Sequence, residues 1–201
     1  MNHQHMHVEN PRFYEISAAI GFAGQRRRVY DGLVRLSDVR PGDRVLDVGC
    51  GTGYLSGRVA RAVGPDGRVE GIDPSTSVVA YANERAAPNA TSRVAGAEEL
   101  PYDDGSFDAV VSCLAAHHIG ADYRGRAFAE MYRVLKPGGR LVIADFRPPT
   151  GRLSRLAIGA FTRHAAEHVP LLDLALGAGF EIVETGHRWP VLAYVRAVRP
   201  R

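Results

Sequence analysis

Apolar and polar positions along this chain follow two periods, and the period changes at turn residues. From Pro11 to about Ser37 the apolar positions recur at helical spacing, with Phe13, Ile16 and Ile20 in one phase and Val29, Leu33 and Leu36 in another. Gly21 and Gly24 break this stretch into two pieces, and Pro41-Gly42-Asp43 turns the chain out of it. Beyond the turn, short apolar runs over 44–48, 68–72, 91–95, 107–112 and 140–144 predict buried strands. Between them, 54–63, 75–86 and 123–135 read as helices, stopped by Gly64-Pro65-Asp66-Gly67, by Pro88 and by Lys136-Pro137-Gly138-Gly139. Strands alternating with helices at this spacing imply βαβ units and a parallel sheet covered on both faces. The tail breaks the rule. Residues 180–184 and 191–198 read as strands, yet only a few residues around Trp189-Pro190 join them, too few for a parallel crossover. The expected fold class is therefore α/β: a Rossmann-like seven-stranded sheet, mostly parallel, with a C-terminal antiparallel hairpin and helices on both faces.

A length of 201 residues suits one domain, 1–201, divided into a helical cap over 1–40, a core over 41–148, a lid insertion over 149–178 and the hairpin over 179–201. No apolar run reaches the roughly 18–20 residues of a membrane span. The opening MNHQHMHVENPR lacks the basic and apolar regions of a secretory signal, which makes the cytoplasm the expected location. Cys50 and Cys113 are too few for a disulfide framework or a four-cysteine zinc site. The net charge of +3 comes with a single dense cluster, Arg26-Arg27-Arg28, and a nucleic-acid binder shows a more continuous basic footprint. The expected partner is thus a small molecule and not a nucleic acid, with the protein acting as a monomer or homodimer.

The chemistry concentrates where the first strand runs into Gly49-Cys50-Gly51-Thr52-Gly53 and a helix opens at Tyr54. Glycines remove Cβ atoms, so a ligand can approach backbone, and the helix start offers unpaired N–H groups. The dinucleotide fingerprint G-x-G-x-x-G is not matched: the third glycine comes one residue early, and Tyr54 stands where a small residue is wanted. At the end of the second strand, 24 residues after Gly49, stands Asp73. A carboxylate there can accept from two ribose hydroxyls, or it can cap the helix that begins beyond Pro74.

Five ordered segments, Asp47-Val48-Gly49-Cys50-Gly51-Thr52-Gly53, Asp73, Ala97-Glu98-Glu99-Leu100-Pro101-Tyr102, Phe107-Asp108 and Leu135-Lys136-Pro137-Gly138-Gly139, resemble the class I S-adenosylmethionine-dependent methyltransferases. Within them the chain looks most like the small-molecule group that includes the ubiquinone/menaquinone-biosynthesis C-methyltransferases. The resemblance implies S-adenosylmethionine as cofactor and S-adenosylhomocysteine as product. It implies that Asp47, Gly49, Gly51, Thr52 and Gly53 line the methionine portion, that Asp73 beside Pro74 holds the ribose, and that Ala97 meets adenine through its backbone N–H. Ser112 would sit beneath the cofactor. Arg27, in a G-x-x-R pattern starting at Gly24, would approach the methionine carboxylate, or simply face solvent. Where the family often carries an acid for the adenine amino group this chain has Gly96, so Glu98, backbone or water must serve.

A base is required only if the acceptor must lose a proton. His117 and His118, after the fourth strand, are the candidates, with a structural role as the competing reading; Asp145 is a third. No metal site is expected. His164 and His168, four apart, lack a third ligand, and Phe146-Arg147-Pro148-Pro149 adds none beside Asp145. Residues 151–172 interrupt the alternation with Leu153, Leu156, Ala157, Ala160 and Phe161 at helical spacing. They predict a lid whose Phe161, with Tyr14, lines an acceptor pocket, or else plain core packing. The expected function is methyl transfer to O, C or N of a small apolar or aromatic metabolite. Two alternatives stand beside it: a non-catalytic cofactor-binding protein or subunit, and a methyltransferase of protein or nucleic acid.

Overall fold

A computed structural model describes residues 22, 24–147, 169–189 and 192–201. In chain order the elements are α1 (Arg26–Ser37), β1 (Arg44–Val48), α2 (Tyr54–Val63), β2 (Arg68–Asp73), α3 (Thr76–Glu84), β3 (Ala90–Val94) and β4 (Phe107–Cys113). A 3-10 turn (Ala116–His118), α4 (Ala121–Val134), β5 (Leu135–Phe146), α5 (Leu171–Gly177), β6 (Glu181–Trp189) and β7 (Leu192–Val198) follow. One seven-stranded sheet takes the order β3-β2-β1-β4-β5-β7-β6. Its first five strands are mutually parallel, and β7 runs antiparallel to both β5 and β6.

Apolar side chains pack on both faces of the sheet, which is why its central strands read as continuous apolar runs. On β1, Leu46 and Val48 join a cluster with Ile72, Phe107, Phe128 and Met131. Val45 points the other way, into a cluster with Val29 and Leu33 of α1 and Val59 and Val63 of α2. Each such fully buried side chain is worth about 1.5–3 kcal/mol. The alternation also decides where Asp47 goes: it shares Val45's side and is fully buried beneath α2.

β1 has β2 on one side and β4 on the other, so the order of the chain reverses at its carboxyl end. That switch point is where open α/β sheets bind ligands, and the glycine segment lies there.

The structure departs from the sequence expectations at element ends. Lys136-Pro137-Gly138-Gly139 does stop α4, but the strand already begins at Leu135, which pairs with Phe107 before the register shifts to Ala109 with Arg140. β6 runs on to Trp189, well beyond 184. The 3-10 turn at Ala116–His118 and the short helix Leu171–Gly177 have too few residues to show a period. Of the N-terminal helical stretch, Arg26–Ser37 is described as helix. Tyr14, Phe161, His164 and His168 lie outside the described residues.

Candidate active site

The loop between β1 and α2 is held open by left-handed backbone. Gly49, Gly51 and Gly53 have φ of 72°, 54° and 79°. Only Gly51 has open space where a Cβ would stand, so its backbone is the surface a ligand can reach. A Cβ on Gly49 would lie 2.2 Å from the Ala115 Cβ, so there the glycine makes room for the segment after β4. The amides of Gly49 and Cys50 both donate to the Ile72 carbonyl at 2.8 Å, pinning the loop to β2. Beneath it Gly71 is required as well: a Cβ would lie 2.8 Å from both Cβ and Sγ of Cys50.

Two carboxyl groups flank this loop. Asp73 accepts from the Gly51 amide at 3.1 Å and from the Ser75 amide at 2.9 Å. It therefore does what a cap does while also bracing the glycine loop, with part of its surface open. Burial pushes its pKa up, against the two amide donors that pull it down. Asp47 accepts from the Ser56 hydroxyl at 2.5 Å, and burial pushes its pKa up to about 7, with the Ser56 hydrogen bonds opposing. Burial also raises both cysteine thiols, so Cys50 and Cys113 stay protonated and inert.

Raised from 3.8 to about 7, Asp47 holds more proton in the folded than in the unfolded chain. The stability it contributes is full below about pH 4 and is lost as pH rises through 7, a change of about 4 kcal/mol. The expected result is that the melting temperature of the ligand-free protein falls between pH 5 and 8 by several degrees more than that of Asp47→Asn. Equal slopes in thermal melts would refute this.

The cationic end of the site is Arg26, not Arg27. The helical phase that buries Val29 and Leu33 carries Arg26 inward with them. Only 7% exposed, Arg26 lays its guanidinium 3.7 Å from the centroid of the Tyr54 ring. It lines one cavity with Asp47, Gly49, Gly51 and Thr52. Arg27, one residue on, projects away with an 83% exposed side chain and pairs with Asp31. Of the two readings of Arg27, the structure gives the solvent-facing one in place of the carboxylate contact, and the signal was available in the phase of Val29, Leu33 and Leu36.

At the other end, the Glu98 carboxylate oxygens lie 2.7 Å from where a Cβ on Gly96 would stand. Glu98 thus fills the space of the side chain that Gly96 lacks, beside buried Ala97. Pro74 is exposed between Asp73 and Ser75. Ser112 is 2% exposed, and its hydroxyl donates to the Val48 carbonyl at 2.8 Å, tying β4 to β1. Its polar group is committed to the sheet.

After β4 the chain passes through Leu114 at φ 58°, costly for a residue with a Cβ and typical of functional turns. This brings His117 against β5. Its Nδ1 lies 2.7 Å from Oδ1 of Asp145, and its backbone N–H donates to Oδ2 at 2.9 Å. The Phe146 amide adds a third bond to that carboxylate, at 2.7 Å. Asp145 is fully buried, and the His117 side chain is 6% exposed. The His118 ring centroid lies 3.9 Å from that of His117, and the residue reaches solvent. The Asp145 carboxylate is thus the hydrogen-bond partner of His117.

Comparison with known proteins agrees with this geometry. Residues 45–139 match the family model described as a methyltransferase domain. A demethylmenaquinone methyltransferase of Symbiobacterium thermophilum is 33% identical over 165 residues, 80% of this chain and 64% of that protein. A ubiquinone/menaquinone biosynthesis C-methyltransferase of Pseudomonas putida is 35% identical over 154 residues, 74% of this chain and 59% of that protein. The chain thus spans about three fifths of the length of these curated relatives. Among solved structures, an S-adenosylmethionine-dependent methyltransferase from Aquifex aeolicus superposes with a TM-score of 0.73 at 20% identity, covering 94% of this chain and 98% of that one. That likeness shows the fold.

Proposed function

We propose that the chain carries a class I methyltransferase domain, the kind that uses S-adenosylmethionine, and that it moves a methyl group from this donor to O, C or N of a small apolar or aromatic metabolite. The observation that carries the reading is one cavity at the sheet's switch point that joins the left-handed glycine loop, a buried carboxyl and a buried guanidinium. The similarity to enzymes of demethylmenaquinone methylation and of ubiquinone/menaquinone biosynthesis supports an apolar aromatic acceptor. The protein would act in the cytoplasm, as a monomer or homodimer.

The residues fit the donor from end to end. Gly51 would let the methionine portion approach backbone, with Thr52 and Asp47 alongside. Arg26 supplies the positive charge that an α-carboxylate needs. Asp73 offers ribose hydroxyls an acceptor, and Glu98 offers one to the adenine amino group in place of a side chain at 96. When bound, the donor supplies a methyl group on a sulfonium. The protein's own task is then to orient the acceptor and exclude water, worth about 7–11 kcal/mol of the barrier. His117 and His118 would face the acceptor, and Tyr14 and Phe161 would close its pocket.

Calorimetry tests this reading. S-adenosylmethionine and S-adenosylhomocysteine should bind in the micromolar range, and NADH should not bind, because loop spacing and Tyr54 oppose a pyrophosphate. Arg26→Ala should weaken both ligands about 10- to 100-fold, the worth of a charge-assisted bond. Arg27→Ala should change them less than twofold. No binding by wild type, or a larger loss at Arg27 than at Arg26, would defeat the assignment.

A further inference from the structure

The hydrogen-bonding pattern around Asp145 fixes more than the position of His117. A carboxylate only accepts, and this one already takes the amides of His117 and Phe146. At 2.7 Å from Oδ1, the His117 Nδ1 is the donor to a carboxylate, so the neutral ring carries its proton there and its lone pair at Nε2. The Phe146 ring at 5.1 Å and the His118 ring at 3.9 Å hold the imidazole from its sides. Asp145 itself cannot swing out, because it is fully buried inside β5. Leu114, in the left-handed region, turns the chain so that this pair lies where β4 and β5 end.

Resting on the methyltransferase reading above, we infer that His117 is the general base of this site through Nε2, that Asp145 is its positioning residue, and that the acceptor is one that must shed a proton, an aromatic hydroxyl as in a phenol or hydroquinone. In the step, the acceptor O–H breaks and its proton forms an N–H bond at Nε2. The electron pair left on oxygen takes the methyl as the C–S pair returns to sulfur, and the imidazolium later gives the proton to water. Charge balances, since the sulfonium positive charge ends on the imidazolium and no oxidant or metal is required. An amine acceptor can attack through a free lone pair and has far less need of the clamp.

Two measurements decide the inference. The first needs no acceptor: two-bond 1H–15N correlation of histidine-labelled protein should show neutral His117 with Nδ1 protonated and Nε2 bare, and Asp145→Asn should shift it toward the Nε2–H form. Wild type already in the Nε2–H form overturns the assignment. The second uses labelled S-adenosylmethionine with 1,4-dihydroxynaphthalene and 2-naphthol against benzylamine and aniline. Methylation of the hydroxyl compounds should fall about 10²–10⁴-fold in kcat in His117→Gln. Asp145→Asn should fall comparably, with KM for the donor within twofold. Methylation confined to the amines, or a His117→Gln variant with kcat within threefold of wild type, overturns it. If Asp145→Asn does not fold, His117→Gln and the wild-type spectrum still decide. Loss of donor binding by calorimetry would defeat the underlying reading instead, and leaves the tautomer result to be judged separately.

Discussion

Gly49→Ala is expected to reduce affinity for S-adenosylmethionine by at least about 30-fold and to lower the melting temperature. Two costs combine. A residue with a Cβ held at φ 72° loses roughly 1–2 kcal/mol. Its Cβ would also stand 2.2 Å from the Ala115 Cβ, and relieving such overpacking typically costs about 1–3 kcal/mol. Ala115 lies two residues before His117, so displacing it disturbs the His117–Asp145 pair as well as the loop. The double variant Gly49→Ala/Ala115→Gly separates the costs: it should recover the steric part and keep the backbone part. Calorimetry and thermal melts read both. A single variant that binds within threefold of wild type would show that the loop yields more easily than its contacts imply.

Asp73→Ala should weaken S-adenosylmethionine about 100-fold, with Asp73→Asn in between. The carboxylate braces Gly51 and caps the turn into α3 through Ser75, and each charge-assisted bond is worth roughly 1.5–3 kcal/mol. A purely capping role would appear as a stability loss of about 1 kcal/mol with little change in binding. The 2′-deoxy analogue of the donor separates the roles. Wild type should bind it more weakly than the parent compound, whereas Asp73→Ala should bind both alike, since a coupling energy survives only where the two groups touch. Equal binding of both by wild type would remove Asp73 from the ribose.

The sheet was legible in the sequence because its information is local. Val45, Leu46 and Val48 are apolar for both faces of one strand, and the short link near Pro190 leaves only a hairpin. The glycine loop was legible for the same reason. What escaped depends on facing partners far apart in the chain. No spacing shows that Asp145 meets His117 across 28 residues, or that the Glu98 carboxylate covers Gly96. Gly71 read as an ordinary strand residue because its neighbour, Cys50, comes from another strand's end. Arg26 is the intermediate case. Its helix phase was visible, yet the choice between neighbouring arginines follows the face buried against Tyr54 and not the motif.

The place of β7 has a consequence for how the protein comes off the ribosome. It is later in the chain than every other described strand, yet it lies inside the sheet, with seven residues of β5 on one side and β6 on the other. Until Leu192–Val198 has emerged, the full length of Leu141–Phe146 is an open, apolar edge, and β6 has no strand to join. Such an edge is a template for pairing with another nascent chain. A stop codon or a proteolytic cut before Leu192 would therefore do more than trim a tail. It would expose the strand that carries Asp145, and the fragment should collect in the insoluble fraction even though every residue of the glycine loop is present.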